Sequence, residues 1–152
     1  MERGALRVVS PCLALLAALT SMVFADDTLH SAMQQGIAEG VFSKDQVTRG
    51  RRQYLANCNL GCHGPGLTGS ERVPALAGEG FVQRWQGRSV NELFQRIKLT
   101  MPQTAPRSLS DETYVDIAAF VLDSNGYPPG PQELRPDAQV LRNIIIVAPD
   151  NG

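Results

Sequence analysis

The sequence is short of cysteine, of aromatic side chains and of net charge. Three cysteines in 152 residues are too few to staple a disulfide scaffold. Basic and acidic side chains nearly balance, 14 against 15, which excludes the strongly basic surface of a nucleic-acid binder. Aromatic residues make up only 6% of the chain. There are no internal repeats and no alternation of helical and strand patterns, which argues against a parallel α/β sheet. What is there is a hydrophobic content of 43%, too apolar for a disordered chain, in a length that suits one domain. Fourteen glycines and ten prolines predict many loops.

Residues 1–25 have the three-part layout of an export signal. Arg3 and Arg7 precede an apolar stretch over 8–24, and Val23-Phe24-Ala25 offers a cleavage site just before Asp26-Asp27. Ser10 and Pro11 interrupt that stretch, leaving it short for a membrane anchor of roughly 20 apolar residues. Cys12 is a poor lipid-anchor candidate, because Pro11 directly precedes it and most of the apolar run follows it. The expected product is a periplasmic chain starting at Asp26, with no stable membrane span. Only Cys58 and Cys62 then survive. An oxidising compartment tends to join free thiols, so the pair needs an explanation.

The expected organisation is an N-terminal segment at 26–42, a domain at 43–130 and a tail at 131–152. Ser43 and Gln46 have capping-box spacing, and Val47, Gly50, Tyr54 and Cys58 then fall near one helical face. A glycine within a helix costs about 1 kcal/mol relative to alanine, so Gly50 suggests that another backbone passes close by. Residues 59–88 hold seven glycines and read as loop with short turns. Ser89 and Glu92 start a second helix with Val90, Leu93, Phe94 and Ile97 on its apolar face. Pro102 and Pro106 keep the 99–109 segment from being a regular helix. A third helix begins at Ser110, with Tyr114, Ile117, Ala118 and Val121 as its stripe, and Asn125-Gly126 and Pro128-Pro129 end it. The run Ile144-Ile145-Ile146-Val147 reads as a segment packed over the core or as a docking strand. The class is all-α.

The chemistry concentrates in Cys58-Asn59-Leu60-Gly61-Cys62-His63. Two cysteines followed at once by histidine is the pattern of covalent haem attachment. Each thiol adds to one vinyl group of the porphyrin, and the next residue falls beneath the iron, where histidine supplies a nitrogen ligand. The usual spacing has two residues between the cysteines, and here there are three. The extra residue must be absorbed as a bulge, which Gly61 permits sterically. A Cys58–Cys62 disulfide or a zinc site of Cys58, Cys62 and His63 stays open at this point. A structural zinc site wants four ligands, and the chain from Asp26 onward adds no third cysteine and only His30.

With these motifs in this order, the chain resembles the class I cytochromes c over roughly residues 43–130. These are small monohaem electron carriers of the bacterial periplasm and of mitochondria. Gly50 and Tyr54 resemble the glycine and aromatic of the family's first helix, where the glycine lets the C-terminal helix cross closely. Pro74-Ala75-Leu76 resembles the element whose proline carbonyl accepts the axial histidine's Nδ1–H, and Trp85 resembles the tryptophan bordering a haem propionate. Thr100-Met101-Pro102 resembles the loop carrying the distal methionine. An isolated methionine is usually core packing, but this context makes Met101, rather than Met33 or His30, the implied sixth ligand. Ile117-Ala118-Ala119-Phe120-Val121 and Asn125-Gly126 resemble the C-terminal helix and its end.

The resemblance implies an all-α class I cytochrome c fold, three to four helices with long loops around one covalent haem c with its iron. It implies a periplasmic carrier of single electrons between redox protein partners, not an enzyme, with iron held by His63 and Met101. An alternative is the cytochrome subunit of a larger oxidoreductase such as a quinoprotein alcohol dehydrogenase. The stretch from Trp85 through Met101 to Pro128-Pro129-Gly130 is similar to small cytochromes of such enzymes. A haem peroxidase would follow if Met101 left the iron open. Residues 49–107 carry nine basic and three acidic groups. Arg49, Arg51, Arg52, Arg84, Arg88, Arg96 and Lys98 are therefore expected around the haem segment, steering an acidic partner or neutralising propionates.

Overall fold

The computed structural model describes residues 35–149. The expected export signal, Cys12, His30 and Met33 lie outside the described residues. Helix α1 spans Lys44–Asn57, α2 Glu79–Trp85, α3 Val90–Thr100, α4 Asp111–Asp123 and α5 Ala138–Arg142. Two two-residue strands, β1 (Gln35–Gly36) and β2 (Ile144–Ile145), pair in parallel. The fold is all-α apart from this short pairing. Among the described residues no helix is long and apolar enough to cross a membrane.

Local chemistry sets each helix start. Ser43 Oγ accepts from Gln46 N–H at 3.0 Å, which satisfies one free donor of α1. The box is one-sided, because the Gln46 amide turns inward instead and bonds Asp116 and the backbone of Leu134. Ser89 and Glu92 form a complete capping box on α3, and Ser110 caps α4 through Thr113 N–H at 3.2 Å. Helix α2 occupies a stretch expected as loop. Its entry residue, Gly78, has φ +82°, and Phe81 and Trp85, one helical turn apart, bury its inner face.

The centre of the molecule is the crossing of α1 and α4. A Cβ added to Gly50 would overlap the carbonyl of Asp116 and touch Cβ of Phe120, so the expected close backbone approach is real and its partner is α4. Helix α4 is buried at every position from Tyr114 to Leu122, not only along the expected stripe. It packs against α1 and α3, while the chain returning after α4 buries Leu134, Leu141, Ile144 and Ile146 and sets α5 and β2 against α3. That returning chain is fastened rather than loose. Gly87 N–H donates to Ile146 O at 2.8 Å, and Ile146 N–H to Arg88 O at 2.9 Å. With β1 paired along β2 and Ser89 bridged to Ile145, the Ile144 run is a packed segment and not a free docking strand.

Candidate functional site

The extra residue between Cys58 and Cys62 is absorbed by a single π turn. Residues Asn59–His63 form it at the end of α1. His63 N–H reaches Cys58 O at 3.1 Å and Gly64 N–H reaches Asn59 O at 3.3 Å. An i→i+5 bond holds one more residue per turn than an α-helix, and such turns recur at functional sites. Gly61 sits inside it at φ +70° with open space where a Cβ would be. The bulge is thus a widened helical turn, hinged at the glycine that the sequence places there.

This turn opens on a cavity of about 790 Å³, within the roughly 300–1,000 Å³ typical of ligand and cofactor clefts. Cys58, His63, Pro74, Trp85 and Met101 all line it, with Leu93, Ile97, Ile117 and Val121 as apolar wall. Five of the six residues singled out from sequence therefore meet in one place. Cys62 is exposed and not among the lining residues, and no disulfide joins it to Cys58. Burial, with a smaller contribution from Cys62, pushes the Cys58 thiol up to about 11. Cys58 is therefore a neutral thiol at pH 7, not a poised thiolate. Among the described residues no group of three or more His, Cys, Asp and Glu gathers as a metal site would need, which leaves the zinc alternative without a ligand set there.

His63 is 4% exposed. Its Nδ1 lies 2.9 Å from the carbonyl oxygen of Pro74. Occupying Nδ1 as a donor leaves Nε2 as the ring nitrogen free to accept or to coordinate. The segment that follows the acceptor is fastened to the end of α4. Asn125 Nδ2 donates to Leu76 O at 2.9 Å and to Val121 O at 2.7 Å, and its Oδ1 accepts from Gly78 N–H at 2.9 Å. Tyr54 OH donates to Gly64 O, just after the histidine, and its ring packs on Phe120 at 5.2 Å between centroids. Sequence reasoning took Asn125 as a helix stop only. A buried amide at a helix end, 8% exposed, must find partners, and that is the signal that could have shown its clamping role.

Met101 enters the cavity from the end of α3. Its N–H bonds Ile97 O at 2.8 Å as the helix ends, and its carbonyl accepts from Tyr114 OH at 2.9 Å. Trp85 also lines the cavity, 8% exposed, with the Arg88 guanidinium 5.8 Å from its ring centroid.

The expected basic rim divides. Arg84, Arg88 and Arg96 line the cavity. Arg49 does not. It binds Asp116 at 2.9 Å and Glu133 at 2.9 Å in a separate cleft of about 800 Å³, and these acidic partners push its already high pKa further up. Lys98 is paired with Asp111 at 2.7 Å. Charge counted along the chain overstated the rim, because carboxylates distant in sequence fold onto two of its members.

A family model described as cytochrome C oxidase, cbb3-type, subunit III matches residues 45–121. No curated protein and no solved structure matches the chain. The matched span runs from the first turn of α1 to near the end of α4 and contains every residue singled out for the site.

Proposed function

The chain belongs to this family of c-type cytochromes, and on that premise we propose that it is a periplasmic monohaem cytochrome, with iron held by His63 and Met101, that carries single electrons between redox proteins. The family implies covalent haem c with its iron and an electron-transfer role rather than enzymatic catalysis, with redox partners. The observation that carries the finer reading is that Cys58, His63 and Met101 open on one cavity with His63 Nδ1 already occupied by Pro74 O.

The residues present fit the group. The cavity is apolar along α3 and α4 and has thiol, imidazole and thioether donors on its walls. Cys58 and Cys62 would hold the haem as thioethers, and His63 and Met101 would be the residues that ligate its iron. When bound, the haem iron would supply the one-electron couple, and a methionine thioether among its ligands would raise the potential. The rest of the work is done by the chain. Pro74 O fixes the imidazole plane and tautomer. Leu93, Ile97, Ile117 and Val121 exclude water from the cavity wall. Trp85 adds an aromatic wall. Arg84, Arg88 and Arg96, with Glu92 3.7 Å from Arg88, leave the lining with a net positive charge that suits propionates and an acidic partner.

The description of the matching family names a subunit of an oxidase. This favours one further reading, the cytochrome subunit of a larger oxidoreductase, for which a quinoprotein dehydrogenase was the sequence-based candidate. Stable co-purification with a catalytic subunit supports it, and a chain that stays monomeric beside that subunit speaks against it.

The exported, matured protein tests the main reading. A reduced-minus-oxidised spectrum with a pyridine haemochrome assay should give one low-spin c-type haem per chain. Met101→Ala should convert the ferric spectrum to that of a weak-field sixth ligand and lower the potential. Matured protein with no haem surviving a denaturing gel overturns the proposal, and an unchanged Met101→Ala spectrum removes Met101 from it.

A further inference from the structure

The loop between α3 and α4 is closed across its neck by one hydroxyl. Tyr114 is fully buried on the first turn of α4. Its OH donates to Met101 O at 2.9 Å and accepts from Leu109 N–H at 3.3 Å. One side chain thus ties the first residue of the loop to its last but one. Arg107 N–H adds a bond to Lys98 O at 3.1 Å, and Lys98 bridges to Asp111, so the neck is laced from both helices.

We infer that Tyr114 is a positioning residue for Met101. The reasoning rests on the Met101 ligation proposed above. Both backbone polar atoms of Met101 are taken, the N–H by Ile97 O and the carbonyl by Tyr114. With the peptide planes on either side of Met101 held, the only freedom left to bring its sulfur into the cavity is side-chain rotation. A methionine side chain is long and flexible, so a fixed backbone is what makes its sulfur dwell at one point. Removing the hydroxyl frees two polar groups at once, Met101 C=O and Leu109 N–H. Both can recover partners only by letting the loop open to water. Tyr114 therefore acts on how often the iron–sulfur bond opens, rather than on whether the chain folds.

The test compares three variants of the matured, haem-loaded protein by the rate at which cyanide binds the ferric form, alongside hydrogen exchange at the Leu109 amide. Tyr114→Phe keeps the ring in the core and should raise the cyanide rate roughly tenfold, speed Leu109 exchange and leave the c-type haem in place. Ser110→Ala weakens the cap of the same helix without touching Met101 and should leave the cyanide rate near that of the parent. Met101→Ala marks the rate of a fully open site. A Tyr114→Phe rate equal to the parent, or matched by Ser110→Ala, overturns the positioning role. A Met101→Ala rate equal to the parent overturns the ligation reading instead, and so separates the two failures.

Discussion

Gly50 lies so close to Asp116 that a methyl group on Gly50 would overlap the Asp116 carbonyl. The contact joins the middle of α1 to the middle of α4. It sets how far apart the two helices stand, and hence the spacing around their shared cavity of His63, in the turn that follows one, and of Ile117 and Val121, on the other.

Gly50→Ala should destabilise the protein by about 1–3 kcal/mol through overpacking, although alanine is the better helix former by about 1 kcal/mol. Urea denaturation of the haem-loaded protein reads the change. A net gain in stability would contradict the close crossing.

Gly61 offers the opposite case. Its Cβ would meet nothing, but its φ is +70°. Gly61→Ala should therefore cost only the left-handed backbone penalty, about 1–2 kcal/mol, and Gly61→Asn should cost less, since asparagine tolerates that region. The same denaturation series checks this order. Alanine and asparagine costing the same would argue that the π turn can rearrange around the substitution.

Asn125→Ala strands Leu76 O and Gly78 N–H, which lie two and four residues after Pro74, the His63 acceptor. A loss of about 1–3 kcal/mol is expected, with faster hydrogen exchange at the Gly78 amide. An unchanged Gly78 exchange rate would show that the loop is held by other means.

The Glu133 carboxyl is held below its ordinary value by hydrogen bonds from Arg49 and then from Ser43. A lowered folded-state pKa gives stability that is complete above the unfolded value, about 4.3, and is lost as pH falls through the folded one. Glu133 is 44% exposed in the pair, so its worth is small, about 0.2–1 kcal/mol. Glu133→Gln should be less stable than the parent at pH 7, with the gap narrowing toward pH 3. A gap that widens on acidification would reverse the sign and exclude the pairing as its cause.

Much of the helical framework was legible because its signals are local. Ser43, Ser89 and Ser110 stand where the three long helices start, and each satisfies the backbone donor three residues on. Helices α2 and α5 are seven and five residues long, too short to print a periodic pattern in the sequence. Gln46 was read as half of a capping box and became the two-way partner of Leu134, 88 residues on. Nothing within one helical turn of Gln46 could have announced that choice.

By itself the sequence determined the chemistry on offer: two thiols, an imidazole and a thioether, with an extra residue that needed a glycine-hinged bulge. Bond chemistry and short-range sterics suffice for that. Only the tertiary structure decided that Arg49 and Lys98 are drawn out of the expected rim, since they meet carboxylates 67 and 13 residues away. It also decided that the Pro74 carbonyl faces His63 and that one tyrosine hydroxyl spans the Met101 loop. Such pairings depend on where separate helices cross, and that is set by packing across the whole core rather than by any one segment.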